Sequence, residues 1–230
     1  MAEPAGKEAS YEDLYGVAHL WLFDPLARPL DVFGLEPDKG GKTMAVAEKD
    51  ARYTYQDYLT WLDDERWELI DGKAYNVTPA PSFRHQRIAG NFYRIIGNAL
   101  QGKPCVPGIA PTDVVLSDHD VVQPDVFVVC DKQKITEQII RGGPDLVVEV
   151  ASPSTAEKDR REKKSLYEAF GVREYILLYP DEQYAERFLL NRDGRFGPGE
   201  VFGPRQVMVL ESLDAVQVPL WEVFEVAKGD

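Results

Sequence analysis

Five side chains are of types that could together hydrolyse a phosphate ester: Glu68, His85, Asp125, Glu149 and Lys163. Glu149 lies within Leu146-Val147-Val148-Glu149-Val150-Ala151, an apolar run bounded by Gly-Pro and Ser-Pro, the pattern of a strand buried on both faces. A carboxylate inside such a strand is costly unless it is paired or holds a metal. Asp125 follows Pro124 in a second strand-like run, on the face of Phe127 and Val129 by period-two alternation. If these two acids and Glu68 converge, carboxylates about 4 Å apart repel by about 4 kcal/mol at an effective dielectric near 20. The cluster then needs protons or a divalent cation. Hard oxygen donors without a zinc-like Cys/His set favour Mg²⁺ or Mn²⁺, which would polarise a phosphate and activate water. Lys163 would orient the nucleophile or stabilise charge in the transition state. The rival account is a buried ion-pair network, with Glu149 on Lys163 and Asp125 on an arginine.

The elements that must position these groups follow from local patterns. A helix is expected from Ala156 to Phe170, with a capping box of Ser154 and Glu157 and a stop at Gly171. Its stripe of Asp159, Lys163, Leu166, Tyr167 and Phe170 faces inward, while Lys158, Arg161, Lys164 and Glu168 point elsewhere. A second helix over 83–100 buries Ile88, Phe92, Ile95, Ile96 and Ala99, and His85 heads that stripe. Arg84, Arg87, Arg94, Asn91 and Asn98 form its polar face; a solvated surface explains the arginines better than contact with a nucleic-acid backbone.

Asp71-Gly72 between Trp67–Ile70 and Lys73–Val77 signals a hairpin, with Glu68 facing away from Trp67 and Leu69. Ser117–Asp120 is the turn of a second hairpin whose return strand runs over 121–129, irregular or at a sheet edge at Pro124, with His119 in solvent. Thr54 is a cap for a helix reaching Asp63. Strands are also expected at Glu174–Tyr179 and Ala185–Leu190, and Leu220–Phe224 packs aromatics on the core.

The chain of 230 residues is expected to hold one domain over 51–230, preceded by an extension over 1–50 that packs on it or on a second subunit. A helix over Tyr11–Phe23 belongs to that extension. No apolar run is long enough for a membrane span and the N-terminus is no signal peptide, so a cytoplasmic protein is expected. Cys105 and Cys130 lack metal-ligand spacing and read as reduced buried thiols. The net charge of −13 argues against tight binding to long nucleic acid, but residues 72–112 contain no acid and carry five Lys and Arg.

The segments ELIDG (68–72), PAPSFRH (79–85), QPDV (123–126), GPDLVVEVASPST (143–155), the D-x-x-x-K-x-x-x-Y spacing over 159–167 and GVREY (171–175) resemble the Uma family of endonucleases. That family is similar to the PD-(D/E)XK, or restriction endonuclease-like, superfamily. The resemblance covers roughly residues 53–224. It implies an α/β fold: a mixed central β-sheet flanked by α-helices, with extra antiparallel strands. It also implies one divalent metal on Asp125 and Glu149, Glu68 as a supporting acid, and Lys163 as the catalytic lysine. In the superfamily the lysine stands two residues after the acid, where this chain has Ala151. The small residue leaves room for Lys163 to reach in from the following helix.

The expected function is metal-dependent hydrolysis of phosphodiester bonds in DNA, by a homodimer as in related nucleases. Its rivals are a nuclease-fold binding module without activity and a structural protein whose buried acids are merely paired.

Overall fold

A computed structural model describes residues 51–61, 66–77, 80–152 and 155–228. The expected extension over 1–50, with its helix over Tyr11–Phe23, lies outside the described residues, as does Ser154.

Thirteen described strands form two sheets and a ribbon. In chain order they are β1 (Trp67–Ile70), β2 (Lys73–Asn76), β3 (Val106–Ile109), β4 (Asp113–Ser117), β5 (Asp120–Val122), β6 (Val126–Val129) and β7 (Ile139–Arg141). There follow β8 (Leu146–Val150), β9 (Glu174–Tyr179), β10 (Tyr184–Leu189), β11 (Glu200–Phe202), β12 (Val207–Leu210) and β13 (Val216–Pro219). The helices are α1 (Tyr55–Tyr58), α2 (Phe83–Ala99), α3 (Ala156–Lys158), α4 (Lys164–Ala169) and α5 (Leu220–Val223).

The larger sheet has the order β11-β10-β9-β8-β6-β3, with β8 and β9 parallel and the other neighbours antiparallel. The smaller has the order β2-β1-β5-β4-β7, in which only β4 and β7 are parallel. This is the mixed-sheet α/β architecture expected, divided between two sheets.

Alternation along β8 explains the layers. Leu146, Val148 and Val150 join Val126, Val128 and Ile176 against the apolar stripe of α2. Val147 faces the other way and packs with Phe127, Tyr175, Leu166 and Tyr167, and with Val114, Val122 and Ile70 of the smaller sheet. Glu149 shares the side of Val147, so its carboxylate enters the layer between the sheets. The outer face of the smaller sheet is closed by Tyr55, Trp61, Trp67 and Leu69.

Several local expectations hold. Asp71 and Gly72 both take positive φ, 50° and 73°, as a two-residue turn matched to strand twist requires, and β1 and β2 pair around them. The helix expected over 83–100 is α2, and the structure adds that Ser82 caps it by accepting from the His85 amide at 3.2 Å.

Others are corrected. The run 121–129 is two strands in two sheets: β5 ends at Val122, the chain crosses at Gln123-Pro124-Asp125, and β6 begins at Val126. A Pro that cannot donate to a ladder marks the crossing. The expected continuous helix over 156–170 contains a π-helical turn, Asp159–Lys163, between α3 and α4. Thr54 caps only the one-turn α1, through a reciprocal bond pair with Asp57. His119 is not left to solvent, since its Nδ1 lies 2.8 Å from the Tyr53 carbonyl. Cys105 and Cys130 form a disulfide instead of reduced thiols. They adjoin the paired residues Val106 and Val129, so strand pairing brings them face to face.

Candidate active site

Lys163 is the centre of the site. Its side chain is buried, and the ammonium lies 2.7 Å from Glu68 Oε1, 2.9 Å from Glu149 Oε1 and 3.9 Å from Asp159 Oδ1. Glu68 comes from β1 of the smaller sheet and Glu149 from β8 of the larger, so the lysine joins the two sheets. Burial alone would lower the pKa of Lys163, but the carboxylates of Glu149, Glu68 and Asp159 outweigh it and hold the group charged.

The two glutamates behave oppositely. Burial works against ionisation of Glu68, yet Lys163, Lys158 and the Gln123 amide, 3.1 Å from Oε1, bring its pKa below the ordinary value. Glu149 is pushed up to about 8, first by burial and then by the charges of Asp159, Asp125 and Glu68, which Lys163 only partly offsets. Its Oε1 also accepts from the Tyr167 hydroxyl at 2.7 Å.

Asp125 is fixed beside Glu149 by the backbone, accepting at Oδ2 from the Val150 amide at 2.8 Å. His85 Nε2 lies 3.2 Å from the same oxygen. Burial opposes protonation of His85, but the hydrogen bond and charge of Asp125 raise its pKa above the ordinary histidine value. His85 Nδ1 is buried without a hydrogen-bond partner among the described residues. All five expected side chains, Glu68, His85, Asp125, Glu149 and Lys163, line one cavity of about 610 Å³.

Sequence reasoning overlooked two members. Tyr167 was counted only as a core aromatic, although its spacing of four from Lys163 aims it at the same carboxylate. Lys158 was expected to point away, yet its ammonium is 3.0 Å from Glu68 Oε2 and 5.1 Å from the centre of the Tyr75 ring. The rival ion-pair account would put an arginine on Asp125, but the residue found there is His85. Arg84, Arg87 and Arg94 are exposed and matched by Asp181, Glu225 and Glu222, so the basic face of α2 is neutralised locally.

Among the described residues, no three His, Cys, Asp or Glu side chains are grouped so as to hold a metal ion by themselves. The donor set nevertheless fits an ion of the Mg²⁺ type, which needs one or two carboxylates and takes its other ligands from water and substrate phosphate. Asp125 and Glu149 are hard donors on the cavity wall. Beyond the effect of burial, the charges of Asp159, Asp125 and Glu68 also work against ionisation of Glu149, and a cation would relieve that part.

A family model described as Uma2, putative restriction endonuclease, matches residues 55–220. An uncharacterised protein of Synechocystis is 29% identical over 143 residues, which span 60% of this chain and 75% of that protein. A crystal structure of a putative nuclease belonging to DUF820, from Anabaena variabilis, is similar with a TM-score of 0.62 and 19% identity. The match covers 75% of this chain and 97% of that one, and at this identity it shows a shared fold.

Proposed function

Since the chain belongs to the Uma2 family, we propose that it is a divalent-metal-dependent endonuclease that hydrolyses phosphodiester bonds of DNA. The observation that carries this reading is the Lys163 ammonium, held between Glu149 and Glu68 on a cavity wall shared with Asp125. A structural ion pair has no need of an adjoining cavity or of a further acid fixed by a backbone amide.

Asp125 and Glu149 would hold the ion, Mg²⁺ or Mn²⁺. When bound, it supplies Lewis acidity to a phosphate oxygen and lowers the pKa of a coordinated water. Lys163 would place a fixed positive charge near the phosphoryl oxygens on which negative charge develops, already oriented by its three acidic neighbours. Glu68 acts through the lysines it holds. Tyr167 fixes the Glu149 carboxylate, and His85 keeps a proton at Nε2 against Asp125.

The pairing of Glu149 with Lys163 also favours a second reading, a non-cleaving binding module whose buried acids form a structural network. Titration of the full chain with Mn²⁺, together with cleavage of supercoiled plasmid, separates the two. The nuclease binds Mn²⁺ and nicks DNA, and Glu149→Gln or Asp125→Asn abolishes both while the protein stays folded. Absence of Mn²⁺ binding and of cleavage by the folded wild type overturns the nuclease reading.

A further inference from the structure

We propose that Arg66 and Lys158 form a phosphate-binding pair on the wall of the Lys163 cavity, contacting the backbone of the nucleic acid bound there. The inference rests on the nucleic-acid substrate of the nuclease reading but not on cleavage.

Lys158 owes its place to the π-turn. In a regular α-helix, residues five apart diverge by about 140° around the axis, which sends Lys158 away from the site when Lys163 faces in. The wider turn over Asp159–Lys163, closed by i→i+5 bonding, brings both lysines toward one side. They meet the two oxygens of one carboxylate, Lys163 at Glu68 Oε1 and Lys158 at Oε2. Tyr75, the cross-strand partner of Glu68, supplies a ring face beneath the Lys158 ammonium.

The cations of this cavity differ in how far they are already neutralised. Lys163 has three carboxylates around it, and Arg84 bonds Asp181 and the Pro180 carbonyl. Lys158 shares Glu68 with a closer ammonium and keeps 16% of its side chain accessible. Arg66 donates Nε and Nη2 to Gln123 Oε1 at 3.1 and 2.9 Å, a neutral amide that orients the guanidinium without cancelling its charge. Among the described residues, Arg66 and Lys158 are therefore the cavity cations least neutralised before a nucleic-acid backbone arrives, and a planar guanidinium and an ammonium lining one cavity suit phosphate oxygens.

The test measures binding of a short fluorescein-labelled DNA duplex by anisotropy across a salt series, with Ca²⁺ in place of Mg²⁺. Each of Arg66→Gln and Lys158→Met is expected to weaken binding and to lower the slope of log K against log salt by about one. Lys158→Arg restores the slope, and Arg94→Gln, on the neutralised face outside the cavity, leaves it unchanged. Wild-type slopes in folded Arg66→Gln and Lys158→Met overturn the inference and leave the nuclease reading intact. Binding with the expected slope losses but no cleavage in Mg²⁺ supports the pair and refutes the hydrolase. A wild type that does not bind the duplex overturns both.

Discussion

The Val150 amide donates to Asp125 Oδ2 at 2.8 Å, tying the acid at the sheet crossing to the residue that follows Glu149. A carboxylate held by a main-chain donor keeps its position when its side-chain neighbours change. His85, by contrast, depends on Asp125 for its proton affinity, because burial alone would lower it. Asp125→Asn leaves an acceptor for the Val150 amide and removes the charge. The pKa of His85, followed by NMR of its ring protons, is expected to fall in this variant; an unchanged value would show that Asp125 does not control it.

Loss of the central ammonium affects the two glutamates unequally. Glu68 retains Lys158, whereas Glu149 keeps only the Tyr167 hydroxyl among the partners described above and holds its proton more firmly still. Lys163→Met is therefore expected to cost about 3 kcal/mol, the lower end for breaking a buried pair. Urea denaturation measures this, and cleavage should disappear even where the variant is fully folded.

The pH dependence of the metal-free protein follows from Glu149. Its folded pKa of about 8 lies above the ordinary 4.5, so between these values the folded state holds a proton that the unfolded state has released. The stabilisation from this group is complete below about pH 4.5 and is lost as pH rises toward 8. Glu149→Gln lacks that dependence, so its stability relative to wild type should improve from pH 5 to pH 8 in chelator. Adding Mn²⁺ at pH 8 should stabilise the wild type and not the variant. Parallel curves for the two proteins would contradict the shift.

Another buried charge, outside the cavity lining, serves as a control. The Arg187 guanidinium on β10 meets Glu174, Glu200, Glu211 and the Val209 carbonyl, tying the larger sheet to the ribbon β12–β13. Arg187→Met leaves the fully buried Glu174 carboxylate with only its two Ser212 hydrogen bonds and is expected to cost about 3 kcal/mol, the lower end for breaking a buried pair. Mn²⁺ affinity of the folded fraction should stay at the wild-type value. A variant with lowered affinity would mean that this network reaches the site.

Much of the site was legible because burial and charge conflict visibly in one dimension. Glu149 in an apolar run, and Asp159 and Lys163 on the stripe of Leu166 and Tyr167, announce inward charges without any knowledge of topology. Asp71-Gly72 fixed a hairpin for the same reason, since few residues tolerate its dihedrals. What stayed hidden depends on relations that local spacing does not carry. Lys158 turns inward only through a π-turn that a 3.6-residue period cannot foresee. The Cys105–Cys130 bond needs β3 to lie beside β6, and the Arg187 cluster needs the ribbon to fold back. The division of 121–129 between two sheets was signalled by Pro124 but read as an irregularity within one strand.

The bridging of Glu68 and Glu149 by a single ammonium makes the interface between the sheets part of the machinery. A slip of one sheet against the other, too small to expose either apolar layer, lengthens one of two contacts that are both under 3 Å. If Lys163 serves the proposed hydrolysis, cleavage is expected to act as a strain gauge for the sheet interface, failing under mild heat or denaturant before the strands melt.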